Sequence, residues 1–178
     1  MLTIVIPVKT TRNLDEFIEK NLWWLTWLPV IVIDSGGGEK LQLIANTYIK
    51  KDCSFWEARK YAYELVETPY VMNLDSDVII PNDYPAHAFK LLEDPNVGAV
   101  SLFFEGMSHF GVLEYGISIW KTDLVRKLYD FDAKMLPLDG TCECTYMWRK
   151  LWHFGYRVQI VDPYFARHLR ETKIYPKL

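Results

Sequence analysis

Residues 70–77 read Tyr70-Val71-Met72-Asn73-Leu74-Asp75-Ser76-Asp77, and this stretch decides the fold. A short apolar run, set off upstream by Pro69, passes directly into two aspartates. Such a run, bounded by turn signals, fits a buried strand, and the carboxylates put its carboxyl end at solvent. Two carboxylates this close repel each other unless a cation or a hydrogen-bond donor intervenes. A divalent ion held by one or two carboxylates plus phosphate oxygens is the usual arrangement for Mg²⁺, and Mn²⁺ also accepts oxygen ligands. Such an ion acts as a Lewis acid and offsets charge on a departing diphosphate. The alternative is a solvated turn in which Asp75 and Asp77 merely end a strand.

Upstream, Leu2 to Val8 is a continuous apolar run and reads as a fully buried strand. Asn13 is placed to cap a helix whose first turn carries Asp15 and Glu16, and which runs to about Trp27. Val30 to Ile33 is a second buried strand ending in the tight loop Asp34-Ser35-Gly36-Gly37-Gly38. Residues 39–51 suggest a helix and then a short strand at Tyr48 to Lys50. Ser54 and Glu57 form a capping box, followed at helical spacing by Ala58, Tyr61, Ala62, Leu65 and Val66. Downstream, the pattern predicts a helix at Tyr84–Leu92 and strands at Val97–Phe104 and Gly111–Trp120. Helices follow at Thr122–Tyr129 and Cys142–Phe154, and Gly155 stops the last one before a strand at Tyr156–Val161. This alternation predicts an α/β fold with a central, mainly parallel sheet flanked by helices. Ligands of such sheets gather beyond the carboxyl ends of the strands. Three polar clusters occupy those ends and should face one crevice: Pro7-Val8-Lys9-Thr10, Asp34-Ser35-Gly36 and Asp75-Ser76-Asp77.

The 178 residues suit a single domain, 1–178, with a nucleotide-binding half at 1–80 and an acceptor-side half at 81–178. Half the residues are hydrophobic, and the net charge of -3 supplies no basic face for nucleic acid. No stretch reads as a signal peptide or transmembrane segment: Met1–Ile6 is too short, and Pro29 splits the apolar run from Leu22 to Ile33. Trp23, Trp24 and Trp27 leave room for peripheral membrane contact. The 3 cysteines imply no disulfide framework and no zinc site, so an intracellular, cytoplasmic and reducing setting is expected.

Taken in order, Thr3-Ile4-Val5-Ile6-Pro7-Val8, Val30-Ile31-Val32-Ile33-Asp34-Ser35-Gly36, Glu57-Ala58-Arg59-Lys60 and Asn73-Leu74-Asp75-Ser76-Asp77 resemble the family 2 glycosyltransferases. These are inverting enzymes of the GT-A fold, and the resemblance covers nearly the whole chain. It implies transfer of a sugar from a nucleotide-diphosphate sugar to a hydroxyl acceptor on a glycan, lipid or protein. It also implies a divalent metal, Mn²⁺ or Mg²⁺, at Asp75 and Asp77, with Ser76 beside the donor. By the same resemblance Pro7, Val8 and Asp34 grip base and ribose, Lys9 stands beside them, and Arg59 approaches the nucleotide. Arg59 is otherwise a surface arginine, and Asp34 otherwise a turn-stabilising residue. The family usually has a second Asp where this chain has Ser35.

An inverting transfer needs a general base to take the acceptor proton. The family draws it from an acidic pair at the start of a helix ending in Gly-Tyr, and Gly155-Tyr156 matches that ending. Counting back, Glu143 keeps one acidic position and Cys144 replaces the other. Glu143 is therefore the first candidate for the base and Asp139 the second; loss of activity is the third possibility. His168, after the last predicted strand, is a candidate third metal ligand, with Arg167, Arg170 and Lys173 near the diphosphate. Phe103, Phe104, Tyr115, Trp120 and Trp148 are candidates for stacking on sugar faces, although most should be core. A phosphatase of the haloacid dehalogenase type, with Asp75 as nucleophile and Asp77 as acid/base, is the chief rival. A nucleotidyltransferase and a non-catalytic nucleotide-sugar or glycan-binding protein are the others.

Overall fold

Leu2–Val8 forms β1 and is buried along its whole length, because both of its faces are covered. Leu2, Ile4, Ile6 and Val8 enter one apolar cluster while Val5 enters the other. Val30–Asp34 (β2) divides the same way, Val30 and Val32 against Ile31 and Ile33. That is why these strands read as unbroken apolar runs rather than as alternating ones. The computed structural model describes residues 1–9, 12–105, 113–131 and 142–169.

After β1 come α1 (Leu14–Trp27), β2, a 3₁₀ turn at Glu39–Leu43 and β3 (Thr47–Lys50). Next are α2 (Phe55–Leu65), β4 (Tyr70–Asn73), β5 (Val78–Ile79), α3 (Tyr84–Leu92) and β6 (Val97–Phe104). A 3₁₀ turn at Tyr115–Ile117 leads into β7 (Ile119–Lys121) and α4 (Thr122–Leu128); α5 (Glu143–His153) and β8 (Arg157–His168) complete the described elements. The strands lie in the order β3-β2-β1-β4-β7-β6-β8-β5. β1, β2, β3 and β4 run parallel, as do β6 and β8, while β7 is antiparallel to both β4 and β6, and β5 to β8. α1 and α3 pack on one face of the sheet, and α2, α4 and α5 on the other. This is the mainly parallel, helix-flanked α/β architecture expected from the sequence.

The differences from that expectation are local. Asn13 does not cap α1 with its side chain: its backbone is left-handed (φ 62), and Nδ2 donates to the Leu169 carbonyl at 2.8 Å, tying the start of α1 to the end of β8. Gly111 and Val112 of the expected strand at Gly111–Trp120 lie outside the described residues; in the rest, Tyr115–Ile117 winds into a 3₁₀ turn and Ile119–Lys121 forms the paired strand. β8 runs on to His168, well past Val161, because its far end pairs with β5. Buried Asn21 holds that short strand to α1, donating to the Val78 carbonyl at 2.9 Å and accepting from the Ile80 amide at 3.2 Å. Among the described residues, no helix is long and apolar enough to cross a membrane. Trp23 and Trp27 are exposed on α1, whereas Trp24 is buried.

Candidate functional site

Register brings the polar strand ends together. Val8 lies opposite Asp34, and Asn73 opposite Val5, so Asp75 emerges level with Pro7. The Asp75 amide donates to the Gly116 carbonyl at 2.9 Å, which fixes the turn after β4. A side chain at Gly116 would collide with the Asp75 carboxylate, so glycine is what lets the 3₁₀ turn lie against it. Pro7 and Val8 line this end of β1, Lys9 is exposed beyond it, and Ser76 is buried in the turn.

Asp77 and His168 are brought together by the β5–β8 pairing. Val78 sits opposite His168, and the Leu169 amide donates to the Asp77 carbonyl at 2.7 Å. His168 Nδ1 lies 3.8 Å from Asp77 Oδ2, with the imidazole packed on Phe104 at a centroid distance of 4.8 Å. That ring nitrogen is buried and has no hydrogen-bond partner among the described residues. An orphaned imidazole nitrogen facing a carboxylate fits a divalent cation, and the mixed N,O donors suit Mn²⁺ better than Mg²⁺. Asp75 does not join them, and among the described residues no three side chains form a ready metal cluster.

Asp75 is instead engaged by Arg59. The reading of Arg59 as a surface residue does not hold: it is 1% exposed. The Ser54–Glu57 capping box fixes the start of α2, and Arg59 projects from its first turns into the interior. Its Nη2 donates to Asp75 Oδ1 at 2.5 Å and its Nη1 donates to Glu143 Oε2. The guanidinium lies between the rings of Phe55 (4.4 Å) and Tyr115 (4.9 Å). Burial opposes its charge, but the Glu143 and Asp75 carboxylates outweigh burial and hold its pKa well above the ordinary value. Glu143 Oε1 accepts from the Tyr129 hydroxyl at 2.5 Å. Burial raises the Glu143 pKa above the usual carboxylate value, against the opposing pull of Arg59 and Tyr129. Behind this pair, the Tyr63 hydroxyl donates to Asn73 Oδ1 at 2.6 Å and lies 2.9 Å from that of Tyr115, so the stage under Arg59 is a buried polar network.

Asp34 is fully buried. Its Oδ1 accepts from the Gly36 amide at 2.7 Å, the expected turn-stabilising contact, and its Oδ2 accepts from the Tyr48 hydroxyl at 2.5 Å. Tyr115 and Trp120 are core, and Trp148 lines a surface hollow on α5 with Arg149, Trp152 and His153. Arg167 is paired with Glu16 at 2.7 Å. Asp139, Arg170 and Lys173 lie outside the described residues. Sequence reasoning missed Tyr129, Gly116 and Glu114. Glu114 is only 9% exposed, and its pKa is pushed up to about 7 by burial first and then by Cys142 and Asp75. Glycine two residues after an acid gave no signal that it packs beneath Asp75.

Neither a protein-family model nor a curated protein sequence matches the chain. Solved structures do. A mannosyltransferase, PcManGT from Pyrobaculum calidifontis in complex with GDP-Man and Mn²⁺, superposes with a TM-score of 0.76 at 18% identity over 98% of this chain. GalNAc-T7 with UDP, GalNAc and Mn²⁺ gives 0.72 at 10% identity over 97%, and S. aureus TarS 1-349 with UDP-GlcNAc gives 0.65 at 15% over 96%. The fold is GT-A. The chain spans 58% of the mannosyltransferase, 44% of GalNAc-T7 and 59% of the TarS fragment. Identity this low carries the fold and leaves activity to the GT-A site itself.

Proposed function

We propose that the chain is a metal-dependent glycosyltransferase that moves a sugar from a nucleotide-diphosphate sugar to a hydroxyl acceptor, with inversion. The observation that carries the reading is the buried His168 Nδ1, without a hydrogen-bond partner among the described residues, facing Asp77 at the carboxyl edge of a GT-A sheet. Asp77 and His168 would hold the cation, and Asp75 borders them. Bound there, the metal supplies Lewis-acid stabilisation of the departing diphosphate. Pro7, Val8 and Asp34 form the base and ribose end, Asp34 being kept in place by Tyr48 and the Gly36 amide. Lys9 and Ser76 flank the donor.

Glu143 is the proposed base. Burial raises its pKa above the ordinary carboxylate value, which makes it a stronger base, and Tyr129 and Arg59 fix the carboxylate's orientation. Arg59 keeps the site from carrying uncompensated negative charge before donor arrives. Asp139 is the alternative base. The phosphatase reading loses ground because its nucleophile, Asp75, is neutralised by a buried guanidinium. The test is release of nucleoside diphosphate from a panel of UDP-, GDP- and dTDP-sugars with Mn²⁺ and a mixture of hydroxyl acceptors. The reading requires acceptor-stimulated release that Asp77→Ala abolishes and Glu143→Gln slows by about 10²-fold or more. Phosphate release from simple phosphomonoesters, with no donor turnover, overturns it.

A further inference from the structure

The outer face of α5 carries aromatic surface that neither the core nor the metal end of the site uses. Trp148, Arg149, Trp152 and His153 line a hollow of about 440 Å³ there. Trp148 is partly buried and packs on the apolar cluster beneath α5, so its indole is anchored. Trp152 is 71% exposed, yet its ring lies 6.5 Å from that of Trp148, with an interplanar angle of 39°. The two indoles form one bent apolar platform rather than two scattered surface rings. Arg149 borders it and has no ion-pair partner among the described residues, whereas neighbouring Lys150 is bound to Asp130 at 2.5 Å. Among the described residues no acid lines the hollow.

A ridge ties the hollow to the transfer site. Cys144, Trp148 and Trp152 follow one another at i, i+4 and i+8, so they lie in one row along α5. The row starts at the site: the Cys144 sulfur accepts from the Tyr115 amide at 3.4 Å, and the Tyr115 ring lies 4.9 Å from the Arg59 guanidinium. Trp148 and Trp152 stand about 6 and 12 Å farther along the helix axis. A pyranose ring presents a face of C–H bonds, apolar and weakly positive, which suits the negative face of an indole. A guanidinium beside such a platform pairs with a carboxylate or sulfate through two parallel hydrogen bonds, and it repels a cationic ligand. A bilayer suits this surface less. The hollow is concave, and the other exposed tryptophans, Trp23 and Trp27, are on α1 across the sheet, so no single plane takes both sets.

We propose that the α5 hollow is a saccharide-binding subsite that takes an acidic glycan, and that it holds the part of the acceptor remote from the reacting hydroxyl. The second half rests on the chain being the proposed transferase; the first does not. Trp148 and Trp152 stack under sugar rings, Arg149 takes the acidic group, and the ridge leads the glycan toward the end of α5 that carries Glu143.

The experiment titrates the full chain calorimetrically with oligogalacturonate and hyaluronan oligosaccharides (carboxylated), chondroitin sulfate oligosaccharides (sulfated), and neutral maltose and chitin oligosaccharides. Vesicles of equal parts phosphatidylcholine and phosphatidylglycerol form a separate arm. At least one acidic saccharide should bind more tightly than the neutral ones. Trp152→Ala should weaken that binding by about tenfold, the value of one lost stacking contact. Arg149→Gln should bring the acidic saccharide down to the neutral level, and Trp27→Ala should change nothing. Trp152 and Arg149 are exposed, so both variants should keep the wild-type melting temperature. No saccharide binding, equal loss in Trp27→Ala, or vesicle binding that alone depends on Trp152 overturns the subsite. Acidic and neutral saccharides bound equally overturn the acidic class. With turnover established, Trp152→Ala should raise the KM for the bound saccharide and leave the donor KM alone; an unchanged acceptor KM overturns the acceptor role. If no donor turns over, the transferase reading fails, while the titrations still decide the subsite.

Discussion

Replacing Arg59 by methionine keeps the length of the side chain and removes the charge that Asp75 and Glu143 share. Arg59 is 1% exposed, and the side chains of its partners are 27% and 11% exposed. Breaking a buried ion pair from one side costs about 3–5 kcal/mol, because the partner is left charged and desolvated. Glu143 is the partner that cannot escape to water, so that range applies to it; Asp75, more open, adds less. For a chain of this size a loss of 3–5 kcal/mol lowers the melting temperature by roughly 6–20 °C. The deficit depends on pH. Without Arg59, burial raises the folded-state pKa of Glu143 further above its unfolded value. The deficit is therefore smallest below about pH 4.5, where Glu143 is neutral in both states, and grows as pH rises toward neutrality. Urea denaturation of wild type, Arg59→Met and Arg59→Met/Glu143→Gln at pH 4.5 and 7.5 reads this directly. The double variant should recover much of the loss at pH 7.5. A deficit under about 1 kcal/mol, equal at both pH values, would refute the reading of Arg59 as the buried counter-ion of the site.

Other outcomes follow from single contacts. Gly116→Ala drives a methyl group into the Asp75 carboxylate; it should cost about 1–3 kcal/mol in denaturant melts and weaken Asp75's hold on Arg59. Glu114 has a folded pKa raised to about 7, so it favours folding fully only below its unfolded value near 4.5 and loses that contribution as pH rises to 7. Glu114→Gln should match wild type near pH 4.5 and be more stable by up to about 3 kcal/mol at pH 8. An unchanged gap across that range contradicts its burial as an acid. Cys142, pushed down to about 5 chiefly by the Cys144 thiol, should alkylate at a nearly constant rate from pH 6 to 8. An ordinary cysteine speeds up by roughly 75-fold over the same interval, and such a rise at Cys142 would contradict a stabilised thiolate.

Much of the sheet was legible because its strands are buried on both faces. Leu2–Val8, Val30–Ile33 and Tyr70–Leu74 are apolar apart from the buried Thr3 and Asn73, and each ends in a polar cluster, which fixes both strand type and the crevice. The capping box of α2 was likewise local, since Ser54 and Glu57 satisfy each other. What stayed hidden depended on partners distant in sequence. Arg59 was open to two readings, a nucleotide contact or a surface cation, because nothing near it in the chain carries the charge that buries it; Asp75 and Glu143 arrive from 16 and 84 residues away. Asn13 has the composition of a cap, yet the Leu169 carbonyl, 156 residues on, takes its side chain. β5 is only two residues long, with no period to detect, and it exists because β8 reaches it. The Asp77–His168 approach is a product of that same pairing.

The central claim is that Asp77 and His168 hold a divalent cation for a sugar nucleotide. Thermal shift of the wild-type chain, Asp77→Ala and His168→Ala with UDP, GDP or dTDP, each with and without Mn²⁺, tests it most directly. One nucleotide should stabilise wild type only when Mn²⁺ is present, by about 2.7 kcal/mol at a hundredfold excess over Kd, and both variants should lose that gain. Stabilisation by no nucleotide, or an Mn²⁺-dependent gain that survives in both variants, would contradict the account.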